Sequence, residues 1–80
     1  MIDQQLVRAA ARQVTEQMVG SPMADDAPLV SSGLIDSLSV LELIARLEKK
    51  LQMSMPASHL QPEDFDTIEL MVETVSRMAR

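Results

Sequence analysis

Apolar residues recur three and four apart from the start of the chain. Ile2, Leu6, Val7, Ala10, Ala11, Val14 and Met18 fall on one broad arc of a helical wheel, and Gln5, Arg8, Arg12, Thr15 and Glu16 take the other side. This period predicts an amphipathic first helix. It should end near Gly20-Ser21-Pro22, because Gly20 can cap it and Pro22 cannot continue it. A second helical run spans Ser37 to Leu51, with Val40, Leu43, Ile44, Leu47 and Leu51 on one face. Ser39, Glu42, Arg46, Lys49 and Lys50 take the opposite face, and Leu38 sits off the apolar stripe, at the edge of the polar side. Asp36 and Ser37 are both suitable N-caps for this helix. In the third run Ile68, Met71, Val72, Val75, Met78 and Ala79 share a face. Asp66 with Glu69 three residues on has the spacing of a capping box, with Asp in place of Ser or Thr.

The connecting segments complete the architecture. Residues 20–36 are rich in Pro, Gly, Ser and Asp. A loop longer than about 12–15 residues in a small domain is usually functional or disordered. The apolar members Met23, Leu29, Val30, Leu34 and Ile35 argue that this one is pinned onto the core. Residues 52–65 hold two prolines and room for one short helical turn. No segment has a strand period, and there is no repeat or low-complexity tract. The pattern predicts an all-α bundle of three main helices and one short one, a single domain over residues 1–80, with a long loop between the first two helices.

Composition narrows the chemistry. A chain of 80 residues buries only about 60–65% of the surface its unfolded form exposes, so the core is thin and a deep cleft has little room. Phe65 is the only aromatic residue, and seven Met residues suggest a core or contact surface that can repack. A formal net charge of −5 disfavours nucleic acid, which needs clustered Lys and Arg, and favours partners with basic patches. There is no cysteine, which excludes disulfides and thiolate metal sites, so any thiol chemistry must come from an attached group. No charged segment followed by an apolar run marks a signal peptide at the start, and no stretch approaches the roughly 18 apolar residues of a membrane span. The expectation is a soluble, cytoplasmic monomer with no metal site.

The stretch that asks for a chemical account is Asp36-Ser37-Leu38, at the doorway of the second helix. Three readings compete. In the first, Asp36 and Ser37 only cap the helix. In the second, Ser37 is a nucleophile. It would need His59, the only histidine, as its base, together with an oxyanion hole and a pocket. Asp-Ser-Leu is close to one esterase signature, but Ile35 stands where that signature has Gly. In the third, Ser37 is a modification site. A serine at a helix N-terminus is presented at the surface, and the helix dipole favours a phosphate there by about 0.3–1 kcal/mol. The apolar Leu38 beside it would give a modifying enzyme something to grip.

Gly33-Leu34-Ile35-Asp36-Ser37-Leu38-Ser39-Val40-Leu41-Glu42-Leu43 resembles the phosphopantetheine attachment region of acyl carrier proteins. The resemblance covers essentially the whole chain, and it implies a small acyl-carrier-like four-helix bundle. It also implies that Ser37 carries 4′-phosphopantetheine, covalently attached from coenzyme A, and that Asp36 and Leu38 flank it for recognition. Carriers of fatty-acid synthesis usually have acidic residues along the exposed face of this helix. This chain keeps Glu42 and Glu48 but has Ser39, Arg46, Lys49 and Lys50 there. The segment from Pro56 to Phe65-Asp66-Thr67 is more similar to stand-alone D-alanyl and peptidyl carriers, in which an aromatic residue precedes Asp-Thr or Asn-Thr.

Under this resemblance the chain is not an enzyme and holds no catalytic residue. A phosphopantetheinyl transferase would modify Ser37, and an adenylate-forming ligase or acyltransferase would load an acyl or aminoacyl group as a thioester. A downstream acceptor enzyme would then take the cargo. Docking is expected at Leu38, Glu42, Arg46 and Lys49, with Leu34 or Ile35 as further contacts if the core does not claim them. Arg46, Lys49 and Lys50 read equally as a solvated face. The alternative is an unmodified helical module that binds an amphipathic partner.

Overall fold

Asp3 opens the first helix by accepting a hydrogen bond from the main-chain N–H of Gln5 at 2.8 Å. The structure, a computed structural model, describes residues 3–78 apart from the side chain of Ala57. Helix α1 runs Gln4–Val19 and ends on Gly20, whose φ of +87° is the left-handed conformation that glycine adopts freely. Its apolar stripe is narrower than the wheel suggests. Val7, Ala10, Ala11 and Val14 are buried, whereas Leu6 is 63% exposed at the flank, and Ile2 lies outside the described residues. Thr15, placed by the wheel on the polar side, is fully buried. Its hydroxyl donates to Met71 Sδ at 3.5 Å, which explains how a polar residue is tolerated there.

Helix α2, Ser37–Leu51, buries Val40, Leu43, Ile44 and Leu47 as its spacing predicts, and Leu51 is half-buried. Lys49 and Lys50 occupy the last turn, where cations complement the helix dipole. The helix ends on Gln52 in the left-handed region, with φ +54°. Helix α3, Ile68–Met78, buries Ile68, Met71, Val72 and Val75, with Met78 half-buried and Ala79 outside the described residues. The single short helical turn expected between α2 and α3 is two 3-10 turns, Ala57–His59 and Pro62–Phe65. Pro62 suits the opening position of the second, where its missing N–H costs nothing. No strand occurs among the described residues, and no helix there is long and apolar enough to cross a membrane.

Helix α1 is the shared wall of the bundle and packs on both α2 and α3. The second 3-10 turn touches α2 and α3, and the fully buried Phe65 enters the core from it. The hydroxyl of Thr74 in α3 donates to the Asp64 carbonyl of that turn at 3.1 Å.

The long loop is fixed by three kinds of contact. Leu29 and Ile35 are buried plugs. At its start, Arg8 bridges Asp25 of the loop and Glu69 of α3, both at 2.6 Å, while Arg12 contacts Asp25 and the Met23 carbonyl. Glu16 accepts from the Met23 N–H at 2.9 Å. At its end, the loop is held by Asp66. The third contact overturns the capping-box reading of Asp66 and Glu69. The Asp66 carboxylate turns away from α3, and Thr67 caps that helix instead, its hydroxyl oxygen accepting from the Leu70 N–H at 3.0 Å.

Candidate functional site

The approach to Ser37 is built by a closed turn. The Ile35 N–H donates to the Leu29 carbonyl at 3.0 Å and the Gly33 N–H to the Val30 carbonyl at 3.1 Å. Gly33 has φ +86°, which a side chain would disfavour even though the space around it is open. Between the two buried plugs the chain turns outward, and Leu34 is left 54% exposed. Core packing therefore claims Ile35, while Leu34 remains at the surface.

At the start of α2 the two polar residues divide the work. Asp36 is the N-cap: its Oδ1 accepts from the Ser39 N–H at 2.7 Å. That hydrogen bond, helped by the Ser39 hydroxyl and the Leu38 N–H, holds the Asp36 carboxyl below the usual aspartate range. Ser37 is the first residue of the helix and is exposed. Among the described residues its hydroxyl makes no hydrogen bond. Helix capping thus falls to Asp36 alone. His59, the base the nucleophile reading would need, lies on the first 3-10 turn and lines a groove with Leu60, Asp64, Thr74, Arg77 and Met78.

The residues expected to dock partners do share a surface. Leu38, Glu42, Arg46 and Lys49 follow one another at helical spacing and are all exposed, with Leu38 at 79%. Arg46 donates within the row to Glu42 at 2.8 Å. Farther along, Arg46, Lys49 and Lys50 border a shallow groove with Val14 and Gln17 of α1. Leu41, four residues after Ser37, three after Leu38 and 55% exposed, lies beside both at the edge of this surface. Sequence reasoning passed it over, although its place off the stripe of Val40, Leu43, Ile44 and Leu47 is legible by the same wheel.

The other residue missed is Asp66. Its Oδ1 accepts from the main-chain N–H groups of Val30 and Ser31 at 2.8 Å and of Leu29 at 3.2 Å, and its Oδ2 accepts from the Ser31 hydroxyl at 2.9 Å. These bonds, the Ser31 N–H foremost, hold its carboxyl below the usual range. No local signal reveals this, since the partners lie more than thirty positions away.

The site fits a long phosphodiester-linked arm. Ser37 is open to solvent, its hydroxyl is unengaged among the described residues, and the N-terminal dipole of α2 favours a phosphate there.

Comparison with known proteins bears on the family of the chain as a whole. A family model described as "Phosphopantetheine attachment site" matches residues 5–75. The D-alanyl carrier protein of Streptococcus sanguinis (strain SK36) is 27% identical over 74 residues, covering 90% of this chain and 94% of the relative. That of Streptococcus uberis is 36% identical over 53 residues, 66% of this chain and 67% of the relative. That of Leuconostoc citreum is 26% identical over 74 residues, 90% and 95% of the two chains. No solved structure matches the chain. The family's cofactor is 4′-phosphopantetheine, held covalently. With a match that takes in the long loop, α2, nearly all of α1 and most of α3, the chain belongs to the phosphopantetheine-binding carrier protein family.

Proposed function

We propose that this chain is a stand-alone carrier that holds an acyl or aminoacyl group on a 4′-phosphopantetheine arm attached to Ser37 and presents it to partner enzymes. The observation that carries this reading is the division between Asp36 and Ser37. The helix is capped by one, and the hydroxyl of the other is exposed and unengaged. The three relatives described above are D-alanyl carrier proteins, which favours an aminoacyl cargo.

In the attachment step Ser37 Oγ attacks the β-phosphate of coenzyme A. The Oγ–P bond forms, the pyrophosphate P–O bond breaks, and adenosine 3′,5′-bisphosphate leaves. The hydroxyl proton passes to a base of the phosphopantetheinyl transferase, which also supplies Mg²⁺, since the unengaged Ser37 hydroxyl has no base of its own. Asp36 keeps the helix start rigid through its cap, and Leu38 offers the transferase an apolar grip. The attached arm supplies the thiol that the cysteine-free chain lacks, and an adenylate-forming ligase or acyltransferase loads it as a thioester. Tethering raises the effective concentration of cargo at each partner's site, including the downstream acceptor enzyme. The chain itself catalyses nothing, and it works in the cytoplasm, where coenzyme A is available. Residues 1–80 act as a single carrier domain.

The test is an intact mass after incubation with coenzyme A, Mg²⁺ and a broad-specificity transferase. One phosphopantetheine adduct is expected on the wild type and none on Ser37→Ala, whose helical circular dichroism should be near wild type. An adduct that persists on Ser39, Ser31 or Ser32 overturns the assignment. Absence of any adduct leaves the unmodified interaction module.

A further inference from the structure

One carboxylate governs the end of the long loop. Three consecutive main-chain N–H groups, those of Leu29, Val30 and Ser31, converge on Asp66 Oδ1, in the way a nest of amides holds a bound anion. The Ser31 hydroxyl closes on Oδ2, and the Leu29 N–H also reaches the Asp66 carbonyl at 2.7 Å. The segment so held is the base of the turn that leads to Ser37. Leu29 returns its carbonyl to the Ile35 N–H and to the Ser32 hydroxyl, at 3.0 and 3.2 Å. Ser32 also donates to the Pro28 carbonyl at 2.7 Å. Asp36 and Ser37 follow Ile35 directly, and the exposed Leu34 stands between the two plugs, just ahead of Ile35.

The loop has little else to hold its end in place. Its ion pairs with Arg8 and Arg12 act at Asp25, and Arg12 also donates to the Met23 carbonyl; between Pro28 and Ile35 the contacts are the two plugs, the half-buried Val30, the turn's own hydrogen bonds and Asp66. Exposed hydrogen bonds within a turn open readily when the turn is not tied to the core. Asp66 supplies that tie from the connector just ahead of α3.

We propose that Asp66 is a positioning residue for the modification of Ser37. By holding Leu29, Val30 and Ser31 on one carboxylate, it sets the place of the turn across which a transferase approaches the serine. The proposal rests on the reading of Ser37 as the attachment residue. With the latch removed, the turn samples open positions, and the competent fraction of carrier falls. A fall to about a tenth lowers kcat/KM for the carrier about tenfold, mainly through KM.

The experiment measures kcat and KM of a broad-specificity transferase for the carrier, with coenzyme A and Mg²⁺. It is run at a temperature where circular dichroism shows each variant folded. Asp66→Ala is expected to lose about tenfold in kcat/KM, mostly in KM, by the fraction argument above. Asp66→Asn keeps an amide oxygen for the three N–H groups but loses the charge, and should recover only part of that loss. A role in global stability alone would lower the melting temperature but leave kcat/KM of the folded variant at the wild-type value. That result, within twofold of wild type for Asp66→Ala, overturns the proposal. Should Asp66→Ala not fold at the assay temperature, the double variant Ser31→Ala/Asp66→Asn takes its place. It removes the charge and the hydroxyl contact without touching a buried residue. A several-fold loss supports the proposal, and a rate within twofold of wild type overturns it. Ser37→Ala runs alongside: an adduct there refutes the attachment reading itself and is independent of Asp66.

Discussion

Replacing Phe65 by Ala removes the only ring from a core otherwise made of aliphatic and Met side chains. Phe65 is fully buried on the turn that touches both α2 and α3. A buried Phe removes about 200 Å² from water, which at about 25 cal/mol per Å² amounts to roughly 5 kcal/mol. Alanine retains part of that, and compactness of the unfolded chain lowers the total, leaving about 3–4 kcal/mol, within the range for Phe→Ala in cores. Met55 and Met71 are buried in the same cluster and can shift into the void, which favours the lower end. Domains of this size are stable by about 4–12 kcal/mol, so the loss is a large share of the whole. A 1 kcal/mol change moves the melting temperature of a 60–100-residue domain by about 4–8 °C, so the expected drop is about 12–30 °C. In urea, with a slope of about 1 kcal/mol per M, the midpoint should fall by about 3 M or the variant should be unfolded in buffer. Phe65→Leu conserves most of the volume and should cost under about 1.5 kcal/mol. Circular dichroism at 222 nm follows both. A melting temperature for Phe65→Ala within about 3 °C of wild type, less than a 1 kcal/mol effect would give, would refute the burial argument.

Three further outcomes follow from the same contacts. Leu38→Ala should leave the melting temperature nearly unchanged, because the side chain is 79% exposed, yet slow transferase modification or ligase loading. An apolar anchor at the centre of an interface is commonly worth 1–2 kcal/mol, or about tenfold in rate. The depressed carboxyls of Asp66 and Asp36 bind fewer protons folded than unfolded. Their stabilisation is complete above the ordinary aspartate range, about pH 4, and is lost as pH falls through the lower folded values. Melting temperatures from pH 7 down to pH 3 should fall in acid for wild type, and less steeply for Asp66→Asn. Parallel curves would show that Asp66 does not contribute. Arg46→Glu with Lys49→Glu should change stability little, since the exposed Arg46–Glu42 pair is of a kind worth about 0.3–0.5 kcal/mol. If the cognate ligase reads this face, the double variant loads slowest at low salt, with transferase modification less affected. Equal loading rates at every salt concentration would mark these residues as a solvated face.

Much of the fold was legible because helical burial is local and periodic. Val40, Leu43, Ile44 and Leu47 could be placed from spacing alone, and so could Gly20 as the end of α1. The wheel failed where position along an arc does not determine what lies opposite. Leu6 and Thr15 illustrate this: the leucine faces an open flank and the threonine meets Met71 Sδ. Asp66 marks a deeper limit. An Asp three residues before a Glu at a helix start satisfies the capping pattern, and nothing nearby says that its carboxylate will instead take N–H groups from residues 29–31. Thr67, one position later, was equally eligible as the cap and performs it once Asp66 is engaged elsewhere.

At Asp36-Ser37 the sequence left capping and modification as rivals. Under the proposed function the first is a condition of the second. A hydroxyl that caps a helix is bound to a main-chain N–H two or three residues on and held against the backbone. Because Asp36 takes the Ser39 N–H at 2.7 Å, the helix start is satisfied one residue early, and Ser37 becomes the first helical residue. Its side chain then has no structural bond to give up on reaction. Exchanging the two, with Ser at 36 and Asp at 37, would preserve composition and leave a competent cap. It would also turn the remaining hydroxyl inward onto the backbone. Under the proposed function that exchanged chain should fold with near-wild-type helicity and fail to take up phosphopantetheine. Under the proposed function, then, the order of the two residues, beyond their presence, is what fits this helix start to carry an arm.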